Sequence, residues 1–335
     1  MNAGLQQWAS QASHLMILVT GATGLVGRHL LRRLIRAAAP TRCLLTERQL
    51  RQLPWDTASA HAPDIVVGSL LDEEAVFRAV SGCHAVIHLS NALWWGGQRD
   101  LERLEREGTS NLTAAARASR VGRIITLSQL GASPSSAYTL HRVKGQVEDL
   151  LRNSGLAYTI IRSGIVYGPE DAFVNHIAGM LRLNPLFFFM PGRGEVVLHP
   201  IYIDDLVEAI YRSLSRVRLV DATVEIGGAE YMSLLDLIRT VMRVTGMQRM
   251  IVPLPPYLLR AIAGAYGTLL PRALMTSQWL DILAANRTAP LSGAFDYFGF
   301  LPRRFEETLL EYLPQRRHLR SALRVSFRRR PRIAS

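Results

Sequence analysis

In the first half of the chain, short apolar runs alternate with longer stretches in which apolar residues recur every three or four positions. Such runs are typical of strands buried on both faces, and such recurrence is typical of helices with one buried face. The first four runs lie at residues 15–19, 42–46, 64–72 with its following turn, and 85–91. Strands that alternate with helices predict a doubly wound parallel α/β sheet.

The first run leads into a glycine turn. Three glycines follow it at spacings of three, and a helical pattern resumes at Leu30. The glycines are Gly21, Gly24 and Gly27. A strand, a glycine turn and a helix in this order indicate a dinucleotide site, because the helix N-terminus offers unpaired N–H groups to a pyrophosphate. A turn with a purely structural role is the alternative.

The spacing Gly-x-x-Gly-x-x-Gly resembles that of the extended and atypical short-chain dehydrogenase/reductases. Residues 107–129 resemble the fourth helix and fifth strand of that family, and residues 158–169 resemble its sixth strand and nicotinamide-side loop. Residues 197–210 resemble the segment that closes its substrate lobe. The resemblance covers roughly residues 15 to 314 and implies a Rossmann sheet with a smaller, mostly helical C-terminal lobe.

This resemblance divides the chain into four parts. Residues 1–14 form an N-terminal extension, and residues 15–168 with 197–228 form the NAD(P)-binding domain. Residues 169–196 with 229–314 form the substrate lobe, and residues 315–335 form a basic tail. The extension lacks Lys and Arg and is not expected to be an ordinary signal peptide; a short docking helix and a frayed end both remain open.

The resemblance also implies where NAD(P) binds. Its expected contacts are Gly21, Thr23, Gly24, Leu25, Val26, Gly27, Arg28, Arg48, Ser69, Leu70, Leu89, Ser90, Asn91, Ser128, Lys144, Ile165 and Val166. Arg28 and Arg48 favour NADP(H), because an arginine near the second strand accepts the 2′-phosphate, while Glu47 leaves NAD(H) open. Relatives read Gly-Asp-Leu where this chain has Ser69, so the adenine contact is expected to weaken or to move to Asp72.

In this superfamily the active-site helix carries Tyr-x-x-x-Lys. A spacing of four puts both side chains on one helix face, where the lysine lowers the pKa of the phenol and the tyrosine exchanges a proton with substrate. Here Leu140 stands four residues before Lys144, and leucine cannot donate a proton. The sequence therefore predicts a site that has lost its general acid.

Other residues could stand in for the missing tyrosine. Tyr138 could do so only if the helix begins after it and the loop folds back, and His141 and Tyr167 are further candidates. Ser128 is expected where the catalytic serine of the family stands. Glu105 occupies the place of the helper asparagine, so a second proton-handling group is also missing.

Lys144 is the only lysine among 39 basic residues. Arginine has replaced lysine everywhere except where the family requires a compact ammonium, which a broad, planar guanidinium cannot imitate. We infer that the chain still needs a correctly shaped cofactor site. Chance placement of one residue is the competing explanation.

Among atypical members, the chain is most similar to the group of the NADPH-binding accessory subunit of respiratory complex I and its bacterial homologues. Residues 252–260 and 291–313 extend this likeness beyond the Rossmann part. The resemblance implies a non-catalytic or weakly catalytic accessory or assembly subunit of a membrane-associated redox complex. The alternatives are an NADP-dependent reductase or isomerase of an apolar substrate and, with less support, an RNA-binding relative.

The net charge of +12 is concentrated at the C-terminus. Residues 315–335 carry eight arginines and no acid, which leaves about +4 for the rest of the chain. Apolar residues lie on one helical stripe between these arginines, a pattern typical of helices on anionic bilayers. The apolar stretches 186–190 and 254–270 could also dock, or could be core. Nucleic acid is disfavoured, because no aromatic residues alternate with the arginines.

Composition bears on membrane attachment, metal binding and cellular location. No apolar run is long enough to cross a bilayer, so attachment to a membrane would be peripheral. The two cysteines, Cys43 and Cys83, form no Cys-x-x-Cys pair, and no histidine cluster has metal-ligand spacing. We therefore expect a metal-free protein of a reducing compartment, located in the cytoplasm on the inner face of a membrane.

Overall fold

The structure, a computed structural model, describes residues 15–51, 53–57, 59–89, 102–261 and 277–313. Thirteen strands lie within these ranges. They are β1 Ile17–Thr20, β2 Thr41–Leu45, β3 Asp64–Val67, β4 Ala85–His88, β5 Arg123–Gln129, β6 Tyr158–Ser163, β7 Val166–Tyr167, β8 Phe187–Pro191, β9 Val197–Leu198, β10 Ile201–Tyr202, β11 Ala222–Ile226, β12 Met232–Ser233 and β13 Met250–Leu254.

Besides the helical residues 256–261 and short π and 3₁₀ turns, eleven α-helices accompany these strands in the described residues. They are α1 Leu25–Arg36, α2 Glu47–Leu50, α3 Glu73–Val80, α4 Gly108–Ala118, α5 Thr139–Arg152, α6 Val174–Leu183, α7 Ile203–Ser213, α8 Leu234–Thr245, α9 Ser277–Ile282, α10 Gly293–Phe298 and α11 Phe305–Tyr312. A π-helical turn, Arg103–Glu107, leads directly into α4. Residues 256–261 are also helical.

The central sheet has seven parallel strands in the order β3-β2-β1-β4-β5-β6-β11. Helices α1 and α7 pack together over one face, and α3, α4 and α5 pack over the other. The predicted doubly wound Rossmann fold is thereby confirmed. The strand order reverses beside β1, and ligands of such sheets bind in the crevice at the carboxyl ends of the strands there. The glycine turn lies at this point.

Every residue of β1 and β4 is buried, because helices cover both faces of the sheet. Leu18 packs in a cluster with the α3 and α4 side chains, whereas Val19 packs in a second cluster with those of α1 and α7. The second cluster extends into the C-terminal lobe, where it includes Phe305 and Leu309 of α11. The sheet and the lobe therefore share one apolar core, while the proposed division into domains stays a prediction.

The C-terminal lobe is mostly helical, as expected from the resemblance. Three two-stranded sheets, β7–β10, β9–β12 and β8–β13, join the helices α6, α8, α10 and α11. In β8 the side chains alternate: Phe188 and Met190 are buried, whereas Phe187 and Phe189 are exposed. The apolar run 186–190 thus contributes to the core and to the surface at once.

Several predictions fall outside the described residues. These are the N-terminal extension 1–14, the site residues Ser90 and Asn91, the part of the apolar stretch 254–270 beyond residue 261, and the basic tail 315–335. Of the helices that the structure describes, none is both long and apolar enough to span a bilayer. Within the same residues, no group of three or more His, Cys, Asp or Glu side chains is arranged to hold a metal ion.

Candidate functional site

The glycine turn joins β1 to α1 in a very tight arc. Gly21 has a φ of +74°, a conformation that favours glycine. The backbone N–H of Gly24 donates to the Gly21 carbonyl over 3.0 Å, and Gly24 is the N-cap of α1. A Cβ on Gly27 would lie 2.3 Å from the Gly21 oxygen and 2.7 Å from the Ala22 Cα atom. Only glycine fits at position 27, so this motif is required for helix and strand to pack closely.

This turn fits the pyrophosphate of a dinucleotide. The first turn of α1, which includes Leu25 and Val26, has no acidic residue, so nothing opposes the positive end of the helix dipole. A Cβ on Gly24 would lie 3.2 Å from the Gly21 oxygen, which is a tight contact, so glycine is favoured at this exposed position as well. The Thr23 hydroxyl accepts a hydrogen bond of 3.0 Å from Gln49 Nε2, which ties the turn to α2.

The two arginines expected to favour NADP lie in different surroundings. Arg28 Nη1 donates to Glu170 Oε2 over 2.7 Å, which links the start of α1 to the loop after β7. Arg48 is exposed on α2, close after the end of β2. The intervening Thr46 forms a reciprocal cap with Gln49. Arg28 is thus engaged by a carboxylate, and selectivity for NADP stays a prediction.

On the adenine side, the polar groups already have partners in the protein. The Ser69 hydroxyl accepts from the backbone N–H of Leu71 over 3.3 Å, and Asn111 Nδ2 donates to the Leu70 carbonyl over 3.1 Å. Asp72 caps α3, with its carboxylate accepting the N–H of Ala75 at 3.1 Å. The idea that Asp72 takes over the adenine contact therefore gains no support, because this carboxylate starts a helix.

The lone lysine forms a buried ion pair. Lys144 Nζ, on α5, donates to Glu105 Oε2 over 2.9 Å, and the two side chains are only 6% and 1% exposed. Glu105 belongs to the π-helical turn before α4, a type of turn that is frequent at functional sites. Sequence reasoning treated Glu105 only as a lost asparagine. The structure shows that it supplies the counter-charge of Lys144.

Next to this pair lies His88, which sequence reasoning missed. His88 ends β4 and its ring contacts two threonines: Nδ1 lies 2.7 Å from Thr20 Oγ1, and Nε2 lies 3.2 Å from Thr109 Oγ1. Because Thr109 donates its own proton to the Glu105 carbonyl, it accepts from His88, which assigns the Nε2–H tautomer. Burial and the charge of Lys144 lower the pKa of His88 to about 3, so the ring is neutral.

Leu89 directly follows His88 and is buried beside the glycine turn. Its backbone N–H donates to the Thr20 carbonyl over 3.1 Å, which extends the pairing of β1 with β4 to the edge of the crevice. This neutral arrangement of one imidazole and two threonines had a single signal in the sequence. That signal was a histidine at the end of an otherwise apolar buried strand.

Ser128, expected at the position of the family's catalytic serine, is held by a buried carboxylate. Its hydroxyl donates to Glu148 Oε1 over 2.6 Å, and this buried carboxylate also receives hydrogen bonds of 2.7 Å from Arg162 and from Arg152. Burial raises the pKa of Glu148, but the hydrogen bonds from Arg162 and Ser128 outweigh it, so the pKa is lowered overall. Consecutive strand residues point to opposite sides, and it is Gln129 that lines the cavity beside the sheet.

The two tyrosines considered as replacement proton donors lie in different environments. Leu140 occupies the family's tyrosine position and is buried. Helix α5 begins directly after Tyr138, which meets the first of the two conditions for a substitute role, and the Tyr138 and His141 rings meet edge to face with centroids 6.4 Å apart. Tyr167 packs in the core, where its hydroxyl lies 2.7 Å from Thr308 Oγ1 and burial raises its pKa. Tyr167 is therefore not available to a substrate.

A small cavity opens beside the carboxyl ends of β5 and β6. Its walls include the apolar side chains of Leu130, Leu198 and Ile282. Ile165, an expected site residue, and Arg287, which was not expected, also line it. Val166, the next expected residue, continues into β7, which pairs with β10. The cavity thus joins the predicted nicotinamide side of the sheet to the C-terminal lobe.

His199 lines the same cavity but has a structural role. Its Nε2 lies 2.9 Å from the Gly228 carbonyl, and the backbone N–H of Ala289 donates to its Nδ1 over 3.2 Å. Burial lowers the pKa of His199. With a carbonyl accepting at Nε2 and an N–H donating at Nδ1, this imidazole is neutral and has no capacity left for a ligand.

Comparisons with known proteins agree with this geometry. A family model described as NAD(P)H-binding matches residues 21–175. The chain is 25% identical over 272 residues to the mouse protein "NADH dehydrogenase [ubiquinone] 1 alpha subcomplex subunit 9, mitochondrial", covering 77% of this chain and 68% of the relative. It is 30% identical over 146 residues to photosystem II assembly factor Ycf39 of Cyanophora paradoxa, 44% of each chain.

The fold has solved counterparts too. The structure of UDP-glucose 4-epimerase from Thermus thermophilus in complex with NAD superimposes with a TM-score of 0.64 at 18% identity, covering 88% of this chain and 97% of that one. At this level of identity the comparison bears on the fold alone.

Proposed function

Since the chain belongs to the NAD(P)-binding Rossmann proteins of the atypical short-chain dehydrogenase/reductase family, we propose that it is an NADP(H)-holding accessory or assembly subunit of a membrane-associated redox complex. In this proposal the nucleotide stabilises the fold of the subunit or senses the redox state. No substrate is turned over at a significant rate.

One observation carries the proposal: Lys144 is retained and neutralised by Glu105, while the proton-donor position one turn earlier is occupied by Leu140. An enzyme of this family needs a group that gives a proton to the substrate oxygen. A holder of the nucleotide needs only its binding contacts. The glycine turn and Lys144 support the second role, and Leu140 at the donor position speaks against the first.

Particular residues would hold the nucleotide. The turn from Gly21 to Gly27, with the N-terminus of α1, would bind the pyrophosphate. Lys144 has ammonium protons beyond the one it donates to Glu105 and would bind the nicotinamide ribose. Arg48, helped by Arg28, would accept the 2′-phosphate. The nicotinamide supplies hydride transfer when bound, and the position one turn before Lys144 holds Leu140, which cannot donate a proton.

An exposed apolar surface supports attachment to a larger assembly. Phe187 and Phe189 on β8, Met250 on the adjoining strand β13, and Leu186 before β8 are 38%, 46%, 65% and 65% exposed, respectively. We call these four residues the β8–β13 patch. Contiguous apolar surface of this kind marks interaction sites. Two relatives are named as a subunit of an NADH dehydrogenase and as an assembly factor of photosystem II, which favours a partner of that class.

A second candidate function has its own observation. Tyr138 directly precedes α5, and its phenol interacts electrostatically with Arg287, which lines the cavity. If Tyr138 handled a proton, the chain would be an NADP-dependent reductase or isomerase of an apolar substrate. Tyr138→Phe would then abolish turnover, whereas it would leave nucleotide binding unchanged under the first proposal.

The test of the proposal is nucleotide binding without turnover. The purified full chain is denatured and the released nucleotide is identified, and the stripped protein is titrated with NADPH and NADH by fluorescence. We expect bound NADP(H), tighter binding of NADPH than of NADH, and lower occupancy in Lys144→Arg. Arg48→Gln should reduce the preference for NADPH, with Arg78→Gln on the outer face of α3 as the matched control. No binding at micromolar concentration would overturn the proposal.

A further inference from the structure

We propose that Glu170 competes with the phosphates of the nucleotide for Arg28 and thereby weakens nucleotide binding at the glycine turn. The Glu170 carboxylate would release the guanidinium when a phosphate oxygen takes its place. This inference rests on the proposed function, and it adds to that site a residue that lowers its affinity.

Arg28 starts beside the turn that would bind the pyrophosphate. It directly follows Gly27 in the first turn of α1, and its backbone N–H donates to the Gly24 carbonyl over 3.0 Å. That first turn contains no acidic residue. The negative charge that Arg28 meets comes from outside the helix, since its Nη1 donates to Glu170 Oε2 over 2.7 Å. The pair therefore links the glycine turn to the loop after β7.

Glu170 has a backbone conformation that does not suit a glutamate. Its φ is +67°, in the left-handed region. The backbone N–H of Asp171 donates to the Gly168 carbonyl over 3.2 Å, which closes a turn with Pro169 second and Glu170 third. A positive φ at the third position is typical of a type II turn, where glycine is favoured. A glutamate at this position therefore costs free energy that a glycine would avoid.

The surroundings of this turn keep it in its strained shape. Asp171 is buried, and its carboxylate accepts the backbone N–H groups of Phe173 and Val174, each over 2.6 Å. At the other end, a Cβ on Gly168 would come within 2.4 Å of Ile203 Cγ2, so the backbone packs directly on α7. Strain that the surroundings fix in this way is concentrated at ligand clamps and switch segments. Here it presents a carboxylate to the start of α1.

The ion pair can exchange its partner, because both side chains reach solvent. Arg28 is 28% exposed and Glu170 is 67% exposed, and such pairs contribute little to stability. A guanidinium also forms paired hydrogen bonds with a phosphate. Glu170 therefore opposes the nucleotide in two ways, since it occupies Arg28 and repels the phosphate charges. A subunit with this competitor would exchange its nucleotide more readily than one without it.

The test is a fluorescence titration of the full chain, stripped of nucleotide, with NADPH and with NADH at low ionic strength. Glu170→Gln keeps the shape of the side chain and removes its charge. We expect it to bind NADPH about fivefold more tightly than the wild type, the size typical of one exposed ion pair. A variant that only damaged the loop would bind more weakly, so tighter binding separates competition from a structural role.

The matched control is Glu74→Gln, which removes the acid of an exposed ion pair with Arg78 on α3 and should leave both affinities unchanged. In an Arg28→Gln background, the gain from Glu170→Gln should fall below about twofold, because the two residues act as a pair. Glu170→Gly removes the charge and suits the backbone, so it should tighten binding and raise the midpoint of thermal unfolding.

The two nucleotides identify the phosphate that competes. An equal gain for NADPH and NADH identifies the pyrophosphate, whereas a gain for NADPH alone identifies the 2′-phosphate. If the wild type binds NADPH and Glu170→Gln binds it equally or more weakly, this inference is wrong and the proposed function stands. If neither protein binds a nucleotide, both are wrong.

Discussion

Lys144 and Glu105 come from different helical segments and meet in the interior, with Nζ and Oε2 2.9 Å apart. The contact brings the only lysine of the chain to a carboxylate that occupies the family's asparagine position. The carboxylate of Glu105 therefore supplies a fixed negative charge, which holds the ammonium in place whether or not a ligand is near.

Breaking this pair should destabilise the protein strongly. Glu105→Gln leaves a buried ammonium without its counter-charge, and we expect the free energy of unfolding to fall by about 3–5 kcal/mol. Lys144→Met should have a similar effect. The double variant should lose clearly less than the sum, because no charge is then left unpaired. Urea denaturation of the four proteins gives the coupling energy.

An exposed pair provides the comparison. Arg103 and Glu107 form an i,i+4 pair with side chains 57% and 62% exposed, so Glu107→Gln should change stability by less than about 1 kcal/mol. Additive losses at Lys144 and Glu105 would show that the two buried side chains do not act as a pair.

Substitutions in the glycine turn should follow the space available at each position. In Gly27→Ala the new Cβ would meet backbone atoms at 2.3 and 2.7 Å, so the turn must open and nucleotide binding should be lost. In Gly24→Ala the nearest atom is 3.2 Å away, and a smaller loss is expected. NADPH titration with a thermal melt of each variant tests the order. A Gly27→Ala protein that binds normally would contradict the assignment of this turn.

His141 should make stability depend on pH. The folded pKa is about 4, below the ordinary value of 6.5, so between these values the unfolded chain takes up a proton that the folded chain does not. The contribution of His141 to the free energy of unfolding is therefore complete above pH 6.5. It falls by about 1.4 kcal/mol per pH unit as the pH drops toward 4. Urea denaturation from pH 8 to 4.5 measures this slope.

The variant His141→Phe should flatten the slope by that amount. It also removes two buried nitrogens without partners, so its stability at pH 7 should equal or exceed that of the wild type. The difference between the two proteins should be constant from pH 7 to 8, which serves as the internal control. A variant with an unchanged slope would mean that His141 is protonated in the folded state.

The β8–β13 patch and the basic tail make a joint prediction about membranes. We expect the full chain to co-sediment with vesicles containing 30% phosphatidylglycerol and to bind pure phosphatidylcholine weakly. Deletion of residues 315–335 should remove the dependence on anionic lipid and salt, since basic residues contribute about 1 kcal/mol each near such a surface. Phe187→Ser with Phe189→Ser should weaken the remaining binding.

A matched control for this experiment is Phe77→Ser, an exposed phenylalanine on α3 far along the chain from the patch. If the double variant and the truncated chain bind vesicles as well as the wild type, attachment to an assembly would have to occur through other surfaces. RNA retained by the full chain and lost on truncation would instead favour the nucleic-acid alternative.

The fold and the glycine turn could be predicted because their signals are local. A strand buried on both faces needs several consecutive apolar residues, and the turn after β1 needs glycine at position 27 whatever the rest of the chain does. Helical spacing also fixes the relation of Leu140 to Lys144, while the lost acid that the resemblance implies stays a prediction.

The orientation of Ser128 could not be predicted in this way. A shift of one residue along a strand moves a side chain to the opposite face. The resemblance gave the approximate position of β5 but not which of its last residues faces the cavity. The structure gives that place to Gln129 and ties Ser128 to Glu148.

By itself, the sequence determined the glycine turn, which depends on contacts within a few residues, and the parallel α/β sheet, which the alternation of buried-strand and helical patterns predicts. Only the tertiary structure decided that Glu105 neutralises Lys144 and that His88 is held neutral between two threonines. These relationships join residues remote in sequence, and burial gives them their strength. Burial is set by how the helices pack on the sheet, which no short stretch of the chain encodes.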